Sequence, residues 1–334
     1  MKQILVMMAV VVMVGCGKKE APKEENRVRV QRSTPKPEPP KAVPEKPIAD
    51  PIVEKAIREQ LKKPTGELTK ADLEKVTRLV LQFKGLTEVP KGLEKLTQLT
   101  ELNLRDNKLT SVKGLEKLTQ LTELNLRDNK LTSVKGLENL TQLTRLSLNK
   151  NQLTEVPKEL ENLTQLTVLE LAGNKLTDVK GLEKLTQLKT LWLSSNKLTD
   201  VTGLEKLTQL EGLYLSANQL TDVPKGLEKL TGLERLWLLY NQLTDVTGLE
   251  NLTQLTVLAL SGNQLTDVKG LEKLTQLKAL YLARNQLTEV PKELEKLTQL
   301  KQLSLADNHD LTRAQIAELQ KALPKCNIQS NPTK

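Results

Sequence analysis

Residues 92–116 read GLEKLTQLTELNLRDNKLTSVKGLE, and the same letters return at residues 114–138. Within this stretch the pattern L-x-x-L-x-L-x-x-N begins at Leu99 and ends at Asn107. The identical copy indicates tandem duplication of a short unit. The asparagine that ends the pattern returns at an almost constant interval, at Asn107, Asn129, Asn151, Asn174, Asn196, Asn218, Asn241, Asn263, Asn285 and Asn308.

The chain contains eleven such units, because Lys84 takes the equivalent place one interval before the first asparagine. Every third interval is one residue longer than the other two and contains a Val-Pro pair. The units therefore form groups of three, and each group is itself repeated along the chain. The pairs are Val89-Pro90, Val156-Pro157, Val223-Pro224 and Val290-Pro291.

Each unit has the residues of a short strand followed by a turn. The L-x-L pair directs two leucines to one side of a strand, because side chains alternate along it. An asparagine both donates and accepts, so it can satisfy backbone groups where the chain leaves the sheet. Too few residues remain for a long helix. The pattern therefore predicts that the units stack into an α/β solenoid, with a curved parallel β-sheet on the concave face and short 3-10 or helical turns on the convex face.

Helical signals at both ends of the repeats predict caps that cover the terminal leucines. Asp50 and Pro51 are typical of a helix N-terminus, and a second short helix is predicted after Thr69. Thr312 and Gln315 form a capping box for a helix near the C-terminus. The predicted order is an N-terminal cap at residues 49–75, a first strand at 76–81, eleven repeats over 76–310 and a C-terminal cap at 311–334.

The pattern L-x-x-L-x-L-x-x-N-x-L, returning about every 22 residues, is the signature of the leucine-rich repeat. From about residue 49 to 310 the chain resembles this family, and NKLTDVKGLEKLTQL is similar to the repeat of internalin-type bacterial surface proteins. The Val-Pro units resemble the slightly longer repeats of other branches. The resemblance implies a helical N-terminal cap and implies adhesion or ligand binding through the concave face, with no particular receptor.

The first residues are typical of an export signal. The apolar run from Ile4 to Val14 is too short to span a bilayer but suits a signal peptide at residues 1–15. The run ends in MVGC, which resembles the lipobox of bacterial lipoproteins and implies that Cys16 is lipidated. Gly17 in place of Asp implies the outer membrane of a double-membrane bacterium. An ordinary cleaved signal or a chance apolar start is the alternative.

We expect residues 16–48 to form a tether between the lipid and the solenoid. This segment contains seven prolines among Lys, Glu and Arg, so we expect a semi-rigid polyproline II spacer of about 3 Å per residue. With Cys16 lipidated, Cys326 is the other cysteine of the chain. Its apolar neighbours in LPKCNI predict a buried structural thiol.

Composition argues against nucleic-acid binding and against catalysis. The net charge of +9 is spread over alternating Lys and Glu, as in GLEKL, which is typical of a solvated face. The single histidine, His309, lies in a loop sequence, and one histidine with one free thiol makes no metal site. The sequence offers no catalytic set and no glycine-rich phosphate loop. It therefore predicts no enzyme, no metal and no cofactor.

All six aromatic residues occupy variable positions of the unit. Four lie between the two strand leucines (Trp192, Tyr214, Trp237, Tyr281), and Phe83 and Tyr240 lie just before the asparagine position. We expect Trp192, Tyr214 and Trp237 to be neighbours on the concave face, with Tyr240 and Tyr281 to the side and with Arg235, Arg284, Glu170 and Glu234 at the rim. Contiguous aromatics ringed by polar groups are typical of a binding hot spot.

Other interpretations of these residues stay open. A cross-strand aromatic ladder can stabilise a sheet by about 0.2–1 kcal/mol per pair. The earlier units carry a polar face formed by Glu101, Asn103, Arg105, Asp106 and their copies Glu123, Asn125, Arg127, Asp128. Because these residues are exact duplicates, we interpret this face as an inherited scaffold surface. Our hypothesis is a lipid-anchored, non-catalytic envelope protein whose concave face binds a protein partner. A carbohydrate or cell-wall binder and a passive envelope spacer are the alternatives.

Overall fold

The computed structural model describes residues 48–331. The predicted signal peptide, Cys16 and the tether up to residue 47 lie outside the described residues. Twelve strands of three residues each form one sheet in the described part: β1 Arg78–Val80, β2 Glu101–Asn103, β3 Glu123–Asn125, β4 Arg145–Ser147, β5 Val168–Glu170, β6 Thr190–Trp192, β7 Gly212–Tyr214, β8 Arg235–Trp237, β9 Val257–Ala259, β10 Ala279–Tyr281, β11 Gln302–Ser304 and β12 Asn327–Gln329.

The strands are parallel and pair in chain order, so the predicted sheet is confirmed. Equivalent residues lie opposite one another in each pair; Leu191 of β6, for example, is paired with Leu213 of β7. The central leucines of β1–β11 are buried. The first and third residues of each strand point to the other side of the sheet, because side chains alternate. We call this side the concave face.

Eight 3-10 helices lie opposite the strands in the described residues: Leu93–Lys95, Leu137–Asn139, Lys158–Asn162, Leu204–Lys206, Leu227–Lys229, Leu249–Asn251, Leu271–Lys273 and Lys292–Lys296. Most begin after a glycine in the left-handed region. Gly203 has a φ of 108°, and its N–H donates to Oε2 of Glu205 at 2.6 Å. The predicted 3-10 turns are confirmed. Packed helices need about 8–10 Å, twice the spacing of strands, so the sheet lies on the inner side of the solenoid.

The asparagine of each unit ties that unit to its neighbours. Nδ2 of Asn196 donates to the carbonyls of Leu171 and Leu193 at 3.1 and 2.9 Å. Its Oδ1 accepts from the N–H of Leu176 at 3.0 Å. The other asparagines in this position are also buried and make equivalent bonds. The predicted role of this side chain at the turn is confirmed.

The predicted helices close the N-terminal end. Helix α1 spans Pro51–Leu61, and Oδ1 of Asp50 accepts from two N–H groups of its first turn. Helix α2 spans Lys70–Leu73 and starts with a capping box at Thr69. The first strand is shorter than predicted at its start, because the N–H of Val76 still donates to Leu73 at 3.1 Å and closes the last turn of α2.

The C-terminal end contains one element that the sequence did not predict. Helix α3 spans Arg313–Ala322, with the predicted capping box at Thr312 and Gln315. Strand β12 then extends the sheet beyond the last repeat, pairing with β11. Cys326 lies just before it and is buried, and burial raises the pKa of its thiol. The prediction of a buried structural cysteine is therefore confirmed.

None of the helices between residues 48 and 331 is long and apolar enough to cross a membrane.

Candidate functional site

A row of aromatic rings runs across the strands in the second half of the concave face. Register places Trp192 opposite Tyr214 and Tyr214 opposite Trp237. The rings of Trp192 and Tyr214 are stacked, with centroids 3.9 Å apart and planes 7° apart. Tyr214 and Trp237 are tilted by 32° at 6.0 Å. The prediction that these three side chains are neighbours is confirmed.

Tyr281 belongs to this row, so its predicted place to the side was wrong. Its ring centroid lies 6.5 Å from that of Trp237, although β9 separates their strands. The reason is Ala259, which occupies the row position of β9 and is 0% exposed. Because alanine is small, the two rings lean together over it. We call Trp192, Tyr214, Trp237 and Tyr281 the aromatic row.

A glycine in the same strand makes room for Tyr214. A Cβ at Gly212 would lie 3.3 Å from Cε2 of Tyr214 and 3.8 Å from Nε of Arg235. Gly212 and Arg235 are opposite one another in β7 and β8. The repeat pattern alone does not predict a role for Gly212. The available signal was a glycine inside a strand, which often marks a close approach of another group.

Tyr240 lies beside the row, as predicted, in an unusual backbone conformation. Its φ is 52°, in the left-handed region, and 54% of its surface is exposed. The equivalent residues of other units, such as Asp128 and Ser195, have the same conformation. The turn therefore imposes this conformation. A bulky aromatic there is rare, because the left-handed region costs an L-residue about 1–2 kcal/mol.

Gly262 supports the ring of Tyr240. A Cβ at residue 262 would lie 2.5 Å from Cδ1 and 2.9 Å from Cε1 of Tyr240.

Arg284 forms an ion pair near Tyr240. Its Nε is 3.3 Å from Oδ2 of Asp307. The pKa of Arg284 is raised by its hydrogen bond to Asp307 and then by neighbouring Tyr240. The pKa of Asp307 is lowered by hydrogen bonds from Asn331 and Arg284. Arg284 therefore lies at the rim beside Tyr240, as predicted.

Glu170 and Arg235 also lie beside the aromatic row, as predicted. Glu170 lies opposite Trp192 at the end of the aromatic row. Its Oε2 accepts from Oγ of Ser147 at 2.9 Å and from Nδ2 of Asn149 at 2.6 Å, so its carboxylate is engaged on the polar side. Arg235 is exposed beside Tyr214, and Glu234 precedes it in the chain and is also exposed.

The polar face of the earlier units satisfies most of its own groups. Oδ1 of Asn103 accepts from the N–H of Arg105 at 3.0 Å, and the copy at Asn125 does the same. Arg78 pairs with Glu101 at 3.2 Å. Arg78, Glu101, Asn103 and Asn125 line a groove of about 170 Å³ on the concave face. This internal pairing agrees with the interpretation of the polar face as scaffold.

The aromatic row contains a donor that is not satisfied. Among the described residues, three buried side-chain atoms lack a hydrogen-bond partner: Nε1 of Trp237, Oγ of Ser216 and Nε of Arg127. The first two lie in neighbouring units at the aromatic row, and the third lies on the polar face. A buried donor without an acceptor costs about 1–3 kcal/mol. The row therefore offers aromatic surface, whereas the indole N–H of Trp237 is buried beneath that surface.

Comparison with known families agrees with this architecture. The family model described as "Leucine Rich repeats (2 copies)" matches residues 119–163, 164–206, 208–251 and 253–291, and the model described as "Leucine rich repeat" matches residues 74–131. These matches together cover more than half of the chain. No curated protein sequence matches significantly.

Solved structures give the same result. An internalin (InlF) from Listeria monocytogenes is 30% identical with a TM-score of 0.73, over 86% of this chain and 91% of that one. Internalin C2 from the same species is 32% identical with a TM-score of 0.60, over 66% and 94%. A leucine-rich repeat protein of Leptospira interrogans is 26% identical with a TM-score of 0.53, over 78% and 97%. The repeat sequence, the parallel sheet and these matches establish that the chain belongs to the leucine-rich repeat family, with an internalin-like repeat domain.

Proposed function

We propose that this chain is a non-catalytic cell-envelope protein whose concave face binds another protein. Leucine-rich repeat proteins generally mediate protein–protein interaction, and internalin-like repeat domains are typically binding scaffolds. The observation that carries the proposal is the aromatic row, whose four rings lie next to one another on the concave face. A partner that covers the row gains apolar and aromatic contact.

The binding surface comprises the aromatic row and the side chains next to it. Tyr240 extends the row towards the ends of the strands and is exposed. Arg235 and Arg284 lie on opposite sides of the row, and Glu170 ends it at Trp192. Interface hot spots are enriched in Trp, Tyr and Arg, which is the composition of this surface.

We propose further that the protein is exported and held at the membrane by lipid on Cys16, with the proline-rich tether between the lipid and the solenoid. The support is the MVGC sequence after an apolar run and the proline content of residues 16–48. Metabolic labelling with a fatty acid in producing cells tests this part. Label that is lost in Cys16→Ala supports the anchor, and label that persists contradicts it.

Photo-cross-linking tests the binding face with a matched control inside the chain. Tyr240 and Phe83 occupy the same position of their units, share a left-handed backbone, and are 54% and 68% exposed. A photoreactive phenylalanine at residue 240 is expected to trap a protein in cells that produce this chain. The same group at residue 83, far from the row, is expected to trap none.

The adduct at residue 240 should depend on the row. In the background Trp192→Ala, Tyr214→Ala, Trp237→Ala we expect it to disappear, while residues 48–331 stay folded. Equal adducts at residues 83 and 240, or an adduct that survives the triple substitution, would contradict the proposed site. An adduct that contains glycan alone would favour the carbohydrate alternative, and no adduct at either residue would favour the passive spacer.

A further inference from the structure

We infer that the aromatic row presents ring edges to its partner, and that the partner group seated on it is an uncharged aromatic side chain that offers the face of its ring. This inference rests on the proposed function and names the chemistry of the contact. Three properties of the described residues support it: the way the rings stand on the sheet, the supports beneath them and the charges beside them.

The stacked pair at the start of the row stands upright on the sheet. The ring centroids of Trp192 and Tyr214 are 3.9 Å apart and their planes differ by 7°. Carbon atoms in contact are about 3.5 Å apart, so the two rings are offset sideways by less than about 2 Å. The line between the centroids runs across the strands, from β6 to β7. The ring faces therefore point along the row, and ring edges point outward.

The supports beneath the row agree with this orientation. Cε2 of Tyr214, an atom on the edge of the ring, would lie 3.3 Å from a Cβ at Gly212, two residues earlier on the same side of the strand. One edge of this ring therefore lies over the glycine, and the opposite edge faces outward. In Trp237, Nε1 is buried although the side chain is only half-buried. The exposed atoms of that ring therefore lie away from Nε1.

Ring edges and ring faces attract different groups. An aromatic ring has a negative face and a positive edge, so the edge of one ring prefers the face of another. A sugar, in contrast, stacks on an aromatic face. The free face of Trp192 points towards Glu170 on the neighbouring strand, and the other faces point towards rings of the row. The row therefore fits an aromatic side chain of a protein better than it fits a glycan.

The charges beside the row do not favour a charged ligand. Both signs are equally represented there, with Lys189, Arg235 and Arg284 against Glu170, Glu211 and Asp307. Lys189 pairs with Glu211 at 3.0 Å, and the pair of Arg284 with Asp307 is 3.3 Å long. A ligand with a net charge would therefore gain little from this border. The group that fits the row is aromatic and uncharged.

Synthetic peptides test the orientation of the rings, and intrinsic fluorescence reports their binding, because both tryptophans of the chain lie in the row. The full chain would be titrated with acetyl-GFGFG-amide and with the same peptide carrying pentafluorophenylalanine. Fluorination reverses the quadrupole of the ring and makes the ring more apolar. On ring edges we expect the fluorinated peptide to bind about fivefold more weakly. Acetyl-GLGLG-amide and cellohexaose, the apolar and glycan controls, should also bind at least fivefold more weakly.

A pair of glycine variants tests the support beneath Tyr214. In Gly212→Ala the new methyl group pushes on the lower edge of the ring. We expect the near-UV circular dichroism to change and the fivefold preference for the unfluorinated peptide to fall to about twofold. Gly232→Ala is the matched control, because its added Cβ would meet only backbone oxygens at 3.7 and 3.8 Å. It should change neither measurement. Urea midpoints verify that both variants are folded.

The outcomes separate this inference from the proposed function. Equal or tighter binding of the fluorinated peptide would show that ring faces are presented and would overturn the inference. Equal binding of the leucine peptide would overturn the aromatic assignment. Absence of peptide binding together with a protein adduct at residue 240 would overturn this inference alone. Absence of both, or a response to cellohexaose only, would overturn the proposed protein-binding function as well.

Discussion

At the residue scale, the contact between Tyr240 and Gly262 allows a test with a single methyl group. A Cβ at residue 262 would lie 2.5 Å from Cδ1 of Tyr240, and the φ of Gly262 is 71°. In Gly262→Ala we expect the free energy of unfolding to fall by about 2 kcal/mol, because the new residue keeps a left-handed backbone and displaces the ring. Urea unfolding measures this change.

Gly173→Ala is the matched control, because Gly173 has the same place in its unit and a φ of 70°. Its added Cβ would meet Cγ of Lys150 at 3.3 Å, on a flexible side chain that can move. We expect this variant to lose about 1 kcal/mol, the backbone cost alone. Equal losses in both variants would show that the ring of Tyr240 does not press on residue 262.

The repeated asparagine provides a second test at this scale. Asn196 holds three buried backbone groups of three different leucines. Asn196→Ala leaves these groups without partners, so we expect the free energy of unfolding to fall by about 2–4 kcal/mol. The exposed neighbour Lys197→Ala should change it by less than about 0.5 kcal/mol. An unfolding curve for Asn196→Ala that superimposes on the parent would contradict the structural role of the amide.

The sequence predicted which aromatic residues share the strand face, because the repeat fixes the position of every residue within its unit. It did not predict how the rings meet. Tyr281 reaches Trp237 only because Ala259 is small, and Tyr214 has its position only because residue 212 is glycine. The place of a residue in the repeat fixes its backbone position, whereas the direction of an aromatic ring depends on the volume of the neighbouring side chains.

At the element scale, the 3-10 turns contain a carboxylate that should make stability depend on pH. Gly136, Gly203 and Gly248 donate to the glutamate two residues later at 2.7, 2.6 and 2.7 Å. The pKa values of Glu138, Glu205 and Glu250 are lowered, first by the backbone N–H of the glutamate itself and then by that of the glycine.

A lowered pKa in the folded state sets the sign of this dependence. The stabilisation is complete above the ordinary glutamate pKa of about 4.3 and is lost as the pH falls through the lower folded value. We therefore expect stability to fall in acid, and expect Glu138→Gln, Glu205→Gln, Glu250→Gln to flatten that fall. The control Glu88→Gln, Glu155→Gln, Glu289→Gln changes exposed glutamates before the Val-Pro pairs. An equal effect of both triple variants would contradict this explanation.

The caps show where local sequence signals suffice to predict an element. Asp50, Thr69 and Thr312 each mark a helix start that the structure confirms, because a capping side chain satisfies N–H groups of its own first turn. Strand β12 was missed because Asn327–Gln329 lacks the leucine pattern of the repeats. It forms because β11 would otherwise leave its backbone unpaired at the end of the sheet.

At the scale of the whole molecule, the repeats allow complete units to be removed without changing the sequence at the junction. Deletion of residues 93–114 joins Gly92 to Leu115 and removes β2 from the polar face. Deletion of residues 204–226 joins Gly203 to Leu227 and removes β7, with Tyr214 and Ser216. Both junctions restore the parent sequence GLEKLT.

Stability in a solenoid is approximately the sum of its units and their interfaces, so both deletions should fold and lose a similar amount of it. We expect the urea m-value to fall by about a tenth in each, because the surface exposed on unfolding shrinks by about one unit. Binding should differ between them. Loss of β7 places Trp192 directly beside Trp237 and shortens the aromatic row, whereas loss of β2 leaves the row unchanged.

We therefore expect the protein adduct at residue 240 to persist without residues 93–114 and to vanish without residues 204–226. A partner held by the polar face would give the reverse result, because β2 carries Glu101 and Asn103 of that face. Loss of the adduct in both deletions, with both proteins folded, would mean that the partner spans the whole sheet. Because the two proteins differ little in stability, the comparison assigns binding to one half of the concave face independently of any effect on folding.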